Sequence, residues 1–512
     1  MPLVLPRSRH SRLDILRRWG LGLALSVALG SLLLAFMMLS WSGIVLIRFP
    51  FGVDYGEGIV WQQMRNMLRG EGYSPLGVYP AIVYHYPPVY HLTTAAVSWL
   101  LGTDQLATGR AVSWVSMLGC AALVGWLAAV TAGCRDRIVG CLCAAMAGLF
   151  FTSCQPVIDW LATMRVDWLA YLLGFAGLAL AIGAIERPFL IVAAALCFVL
   201  AIYTKQTSIA APAAAFIALL VVRPRTAWIL AALCLASGLS ALGVLTLRTG
   251  GEFLRHILLY NVNRMDFGAI GGLVVPLRMH ALFEALALTG CVTLWRRIRA
   301  HWADRRQNEH VVASAILVLA FFAIKTPMLV LALKSGANVN YLIEWYGAVA
   351  ILAGIAMKPV LETVVDHFRG RSSPDASVLL PISVFLSCAI QSYALPHRFL
   401  TMEGARAQAA RLAPVAAQIG ATPGIVISDD MVLLIRAGRD VEWEPAIVAE
   451  LGAMGRYDQA ALIRMVQQRR FSLFVIEPLF FHNRYNPPVA RAILANYPRV
   501  RWSGPFLIRA PR

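Results

Sequence analysis

The chain has 512 residues, of which 59% are hydrophobic and only 14% charged. Its mean hydropathy is +0.67, whereas charged residues make up about a quarter of a soluble protein; a soluble globule is excluded and a polytopic membrane protein expected. The net charge of +18 would suit nucleic acid, but the basic residues cluster between apolar runs, so membrane topology accounts for them and no nucleic-acid partner is expected.

Residues 1–20 carry Arg7, Arg9, Arg12, Arg17 and Arg18, which by the positive-inside rule puts this end in the cytoplasm. The first apolar run, residues 21–47, is too long for a signal-peptide core and has no small-x-small cleavage site after it, so it reads as a retained helix. It leads to Val53-Asp54-Tyr55-Gly56-Glu57-Gly58, just outside the bilayer. Asp54 and Glu57 are three apart, on one face of a helix or one small turn. Carboxylates this near hydrocarbon are costly and tend to mark sites. Asp54 also suits the N-cap of the helix that follows, and both readings stay open.

Residues 57–68 alternate as an amphipathic helix, broken by Gly70-Glu71-Gly72-Tyr73-Ser74-Pro75. Tyr84-His85-Tyr86-Pro87-Pro88-Val89-Tyr90-His91 is an aromatic, proline-locked segment. The run at residues 92–101 is shorter than the roughly 20 residues of a span and suits the membrane interface. Further spans are expected at 108–131, 136–154, 166–185, 188–204, 206–222, 227–247, 275–295, 311–333, 341–357 and 377–395. With the first helix the total is about eleven. Arg135, Arg137, Arg187, Arg223, Arg225, Arg296, Arg297, Arg299, Arg305, Arg306, Lys358, Arg369 and Arg371 then all fall on the cytoplasmic side, as the positive-inside rule requires. The nine cysteines lie in or near these runs and show neither metal-ligand spacing nor a disulfide framework.

From about residue 399 the composition changes. Residues 424–430 read as a buried strand ending in Asp429-Asp430, 459–468 as a helix, 470–476 as a second strand and 488–496 as another helix. This alternation predicts a small extracytoplasmic α/β domain with a parallel sheet. Asp429-Asp430 lies at a strand's carboxyl end, where ligands bind, or caps the next helix. The expected fold is therefore mainly α: a polytopic transmembrane unit over 1–398, whose outer loop 48–107 bears interfacial helices, followed by an α/β domain over 399–512.

Three further polar clusters fall on the outer face. One is Asp159 with Met164-Arg165-Val166-Asp167-Trp168. Another is Tyr203-Thr204-Lys205-Gln206. The third is Lys334-Ser335-Gly336-Ala337-Asn338-Val339-Asn340-Tyr341 with Glu344. Lysine occurs only at positions 205, 325, 334 and 358, and Lys205 and Lys334 run against the positive-inside pattern. A snorkelling lysine, interface anchors or a plain loop would explain each alone; their convergence on one face points to a site for an anionic lipid head group. The outer loop over residues 248–276 adds Arg255, His256, Tyr260, Asn261, Asn263, Arg264 and Asp266.

Acidic residues after helix one, the Tyr86-Pro87-Pro88-Val89-Tyr90 segment, Arg165-Val166-Asp167 opening a later helix, Thr204-Lys205-Gln206 ending another and Asn340-Tyr341 starting a late one resemble the GT-C superfamily of glycosyltransferases. The likeness covers about residues 10–395 and is greatest to protein O-mannosyltransferases and the lipid A aminoarabinose transferase. It implies an inverting transfer of sugar from a polyprenyl phosphate to an extracytoplasmic lipid, glycan or protein, in the bacterial inner membrane. Asp54 matches the position of the general base, with Glu57 beside it. Lys205 and Lys334, and with them Arg264, match the residues that hold the departing phosphate. Arg165, Tyr86, Asn340 and Tyr341 fall in the substrate-contacting motifs. Asp167 matches a second acidic position that in some relatives organises the site or a divalent metal. The spacing Asp-x-x-Glu, where relatives carry adjacent acids, leaves open which carboxylate is the base and whether a metal is held at Asp54 and Asp167. The rival class is a transporter or lipid flippase, for which Lys325-Thr326-Pro327 inside a span is the one supporting feature; a catalytically dead scaffold or a polymer ligase sharing the fold is a third.

Overall fold

The computed structural model describes residues 12–77, 79–261, 263–371, 378–395 and 399–512, with side chains from residue 16. Arg7, Arg9 and the side chain of Arg12, on which the expected cytoplasmic start partly rested, lie outside the described residues.

The first apolar run forms helix α1 (Arg12–Arg48). No proline interrupts it, and Pro50 follows directly after its end. Helix α2 (Tyr55–Leu68) follows, capped by Asp54, whose side chain accepts from the Gly56 amide. The short helix Val89–Leu101 buries Tyr90 and His91 and leaves Leu92, Trp99, Leu100 and Leu101 exposed.

Each later expected span coincides with a helix: Gln105–Ala132, Arg137–Thr152, Asp167–Gly183, Leu190–Thr204, Ala210–Val222, Pro224–Arg248, Ala281–His301, Glu309–Met328, Asn340–Ala356 and Leu379–Ala394. Among the described residues, five helices are long and apolar enough to cross a membrane, or six when one bent pair counts as a single span. The remaining expected spans belong to apolar helices of 10–17 residues, which at 1.5 Å per residue fall short of a ~30 Å hydrocarbon layer. By length and composition, then, five or six of the eleven expected spans qualify. The span expected at 275–295 is itself corrected. Phe267–Met279 and Ala281–His301 meet at 75°, at a break on His280, four residues beyond Pro276.

The helices pack round a core that includes Phe150, Phe151, Trp168, Phe175, Phe198 and Tyr346, all nearly or fully buried. Many of the basic residues expected to share a face meet at one end of the bundle. Arg297 donates to the carbonyls of Thr131 and Ala132, Lys358 to those of Ala132 and Gly133, and Arg369 pairs with Asp136. The polar outer clusters lie at the other end.

The C-terminal region folds into a four-stranded sheet in the order β1-β2-β4-β3, with strands β1 (Ile425–Ser428), β2 (Phe471–Ile476), β3 (Arg499–Ser503) and β4 (Phe506–Ala510). Only β1 and β2 run parallel; β4 pairs antiparallel with both β2 and β3. The parallel sheet expected from the sequence is thus a mixed one, closed by a hairpin turning at Gly504. Its edge strand β3 has no readable period, because Arg499, Val500, Arg501 and Trp502 are all exposed, whereas β4 turns Phe506 and Ile508 inward. Asp430 caps the helix Met431–Arg436. Asp429 is buried, accepts from the Glu477 amide and the Tyr485 hydroxyl, and lies 3.3 Å from Arg484. Both residues of the Asp429-Asp430 pair are therefore occupied within the C-terminal region.

This region is not a separate bead. One hydrophobic cluster joins Phe49, Phe51, Ile59, Val60 and Trp61 to Leu412, Val415, Val432 and Val475. Arg436 pairs with Asp104 at 2.7 Å and Arg69 with Asp440 at 2.6 Å across the same boundary.

Candidate functional site

Between the outer ends of the helices and the C-terminal region lies a cavity of about 1150 Å³, lined by Asp54, Tyr86, Arg165, Lys205, Arg264, Lys334, Asn340 and Tyr341 among others. Eight of the ten site residues expected from the sequence therefore share one space. The two others, Glu57 and Asp167, stand directly behind its wall.

Asp54 reaches the cavity at the start of α2. Its carboxylate takes the Gly56 amide at 2.8 Å and lies 3.3 Å from Arg165. The absent Cβ of Gly56 leaves the space that the end of the Arg165 side chain occupies: one built there would lie 1.2 Å from Nη1, so the guanidinium would have to move. Burial pushes the Asp54 carboxyl up, Arg165 pulls it back and Glu57 adds to the rise, leaving it above the ordinary carboxylate value. The Arg165 guanidinium lies 5.3 Å from the Trp160 ring centroid and 6.0 Å from that of Tyr86.

Glu57 does not face the cavity. It is wholly buried, and its two oxygens accept from Arg110 at 2.7 and 2.6 Å, from the Met164 amide at 2.8 Å and from the Val53 amide at 2.9 Å. Arg110 also donates to the carbonyls of Leu46, Phe49 and Phe51. Burial alone would raise the Glu57 carboxyl, but the charge and hydrogen bonds of Arg110 with the two amides hold it below its ordinary value. Every acceptor position of this carboxylate is taken, so it clamps the end of α1 to the loop that carries Arg165. Arg110 was not singled out from sequence; its signal was an arginine inside the start of an apolar helix.

Asp167 is fully buried at the head of its helix. It accepts from Lys205 Nζ at 2.5 Å, Asn340 Nδ2 at 2.9 Å and Trp160 Nε1 at 2.9 Å. Three motifs far apart in sequence thus meet on one carboxylate. Lys205 also donates to the Tyr171 hydroxyl and lies 4.8 Å from the centroid of Tyr341. Arg264 extends to Glu450 of the C-terminal region at 2.9 Å. Among the described residues, Lys334 is the one cavity cation without a hydrogen-bonded or ion-paired side-chain partner.

Other members of the outer clusters serve elsewhere. Asp159 accepts from Gln155 and does not line the cavity. Glu344 lies inside the bundle, paired with Lys325 at 2.7 Å, and His256 pins the first loop through the Tyr84 amide and the Ser74 carbonyl. Glu444 and His85 line the cavity and were missed as site residues. Burial first, then Arg165 and His256, push His85 down to about 3. Burial, eased by Arg165, leaves the Glu444 carboxyl at about 8.

No group of three His, Cys, Asp or Glu residues suited to a metal occurs among the described residues. The two candidate ligands have the Arg165 cation acting on both, and three of the roughly four acceptor positions of Asp167 are already taken, one of them by the Lys205 ammonium. This donor set does not fit a divalent ion.

No protein-family model and no curated protein sequence matches this chain. Solved structures do. ArnT from Cupriavidus metallidurans, bound to undecaprenyl phosphate, superposes with a TM-score of 0.58 at 14% identity, covering 94% of this chain and 97% of that one. The Archaeoglobus fulgidus oligosaccharyltransferase in its apo form gives 0.54 at 11% identity, covering 92% of this chain and 73% of that one. The A. fulgidus AglB in complex with an inhibitory peptide and a dolichol-phosphate gives 0.53 at 11% identity, covering 95% and 74%. At these identities the likeness establishes architecture alone: the chain shares the fold of these structures, and its apolar helices are those of an integral membrane protein.

Proposed function

We propose that this protein is a glycosyltransferase that moves a sugar from a polyprenyl phosphate to an acceptor on the extracytoplasmic face of the bacterial inner membrane, its N-terminus in the cytoplasm. The observation that carries this reading is the pairing of Asp54 with Arg165 in one cavity that also holds the unpaired Lys334. Asp54 accepts the proton of an acceptor hydroxyl as that oxygen attacks the anomeric carbon from the face opposite the phosphate. The bond from the anomeric carbon to the phosphate oxygen breaks, the polyprenyl phosphate leaves with the electron pair, and the configuration inverts. Lys334, with Lys205 behind it, stabilises the charge that develops on the phosphate. Asp167 orients Lys205, and Tyr341 and Asn340 complete that wall. Arg264, neutralised by Glu450, is not given a phosphate-binding role, and Glu57 is given a structural one. Lys325, the feature that favours a transporter, pairs with Glu344 inside the bundle and does not line the cavity.

The test is sugar transfer in membranes supplied with polyprenyl-phosphate sugars. Asp54→Asn should retain its thermal stability and lose ~10²-fold or more of the rate. Transfer at the wild-type rate by this variant would overturn the assignment.

A further inference from the structure

Glu444 stands where the C-terminal region meets the first outer loop. It precedes Pro445, which opens the helix Pro445–Ala453, yet its side chain makes no capping hydrogen bond to that helix. Its backbone is held from the other side by Ala81, whose amide donates to the Glu442 carbonyl at 2.7 Å and whose carbonyl accepts from the Glu444 amide at 3.4 Å. The side chain is 6% exposed and lines the cavity. Its Oε2 is buried and has no hydrogen-bond partner. The other cavity carboxyls are engaged: Asp54 with Arg165, Glu450 with Arg264, and Asp266 with the Gly268 amide.

A buried carboxyl oxygen without a hydrogen-bond partner is costly, and no donor in the fold meets this one, although the Arg165 charge acts on the group. Two aromatic rings, Tyr55 and Tyr86, line the same space. An aromatic face beside a free carboxyl suits a ring that is apolar on its C–H face and hydroxylated at its edge. In its neutral form the carboxyl group can both donate to and accept from such hydroxyls.

We propose that Glu444 is a sugar-positioning residue of the transfer site, its unpartnered oxygen taking a hydroxyl of the ring that is transferred. The inference rests on the glycosyltransferase reading and adds to it a role for the C-terminal region: it completes the donor pocket. The sugar is joined directly to the phosphate held near Lys334, so its hydroxyls extend from that point into the space between Asp54 and Glu444.

The test uses the full-length protein in lipid nanodiscs, with polyprenyl-phosphate sugars extracted from bacterial membranes as donor and bare undecaprenyl phosphate as a sugar-free probe. Glu444→Ala should raise the KM for the lipid-linked sugar about tenfold, with a smaller change in kcat and undecaprenyl phosphate binding within twofold of wild type. Glu444→Gln, which keeps a donor and an acceptor, should recover most of the loss. An unchanged KM in Glu444→Ala overturns the proposal, and so does a parallel loss of undecaprenyl phosphate binding, which a merely structural role would give. If Glu444→Ala does not fold, Glu444→Asp decides. A raised KM with the bare lipid still bound supports the role, and an unchanged KM overturns it. Wild-type protein that transfers no sugar from any of these donors removes the glycosyltransferase reading itself, and this inference with it.

Discussion

Two carboxylates three residues apart have opposite fates because one meets a cation beside open space and the other meets a cation inside the protein. Asp54 and Arg165 face the cavity; Glu57 and Arg110 are both fully buried. Removing one member of a buried pair strands the other's charge, at about 3–5 kcal/mol. Arg110→Ala is therefore expected to lower thermal stability and yield sharply, whereas Asp54→Asn leaves melting unchanged and removes transfer. Equal melting temperatures for both variants would contradict this division. The pH dependence follows from the same residues. In the proposed transfer Asp54 must be ionised to accept a proton, and burial places its pKa above the usual carboxylate value while Arg165 pulls it down. Activity should thus rise with pH along an acid limb set by Asp54. Arg165→Ala removes the lowering influence and should move that limb of the kcat/KM profile to higher pH; a shift to lower pH would rule out Asp54 as the group titrating there.

At the scale of elements, α2 is the joint between the helical unit and the C-terminal region. The near side of the joint is Gly56, whose missing side chain makes room for Arg165. The far side is Gly58, where a Cβ would lie 2.5 Å from the Met431 Cβ and 2.7 Å from the Val432 amide nitrogen. Two glycines in one motif thus serve two contacts, and neither is there for an unusual backbone angle, since both lie in an ordinary helix. Gly58→Ala forces α2 and the helix Met431–Arg436 apart, an overpacking typically worth ~1–3 kcal/mol. The expected result is a lower melting temperature and faster proteolysis at the boundary, read by limited digestion of the purified protein. Wild-type protection would show that the contact yields without cost. The Val441 amide, which donates to Gln62 at 3.0 Å, explains why a glutamine in the middle of an amphipathic helix is buried.

At the scale of the whole molecule, the C-terminal region supplies part of the cavity wall and part of a shared hydrophobic cluster. Cutting the chain at residue 399 would expose Phe49, Phe51, Ile59, Val60 and Trp61 together, an apolar patch that a stable protein does not leave bare. The truncated chain is expected to aggregate on extraction from the membrane rather than elute as a single species in size-exclusion chromatography; a monodisperse peak would show that the region is dispensable for folding.

The amino-acid sequence by itself indicated where the helices lie, though not how many are long enough to cross a membrane, because hydropathy acts locally and repeats along the chain. It also grouped Asp54, Arg165, Lys205, Lys334 and Asn340, which line one cavity, since charge at the edge of an apolar run is unusual enough to notice. Which of these groups are free and which are spent depended on partners far away in sequence: Glu450 for Arg264, Arg110 for Glu57, Asp167 for Lys205. The mixed sheet depended on a hairpin whose edge strand β3 is exposed and carries no periodic signal, and Glu444 on a backbone contact between residues 81 and 444. Only the tertiary structure decides such pairings, because a charge's energy is set by what it meets across space and how much water is left between them.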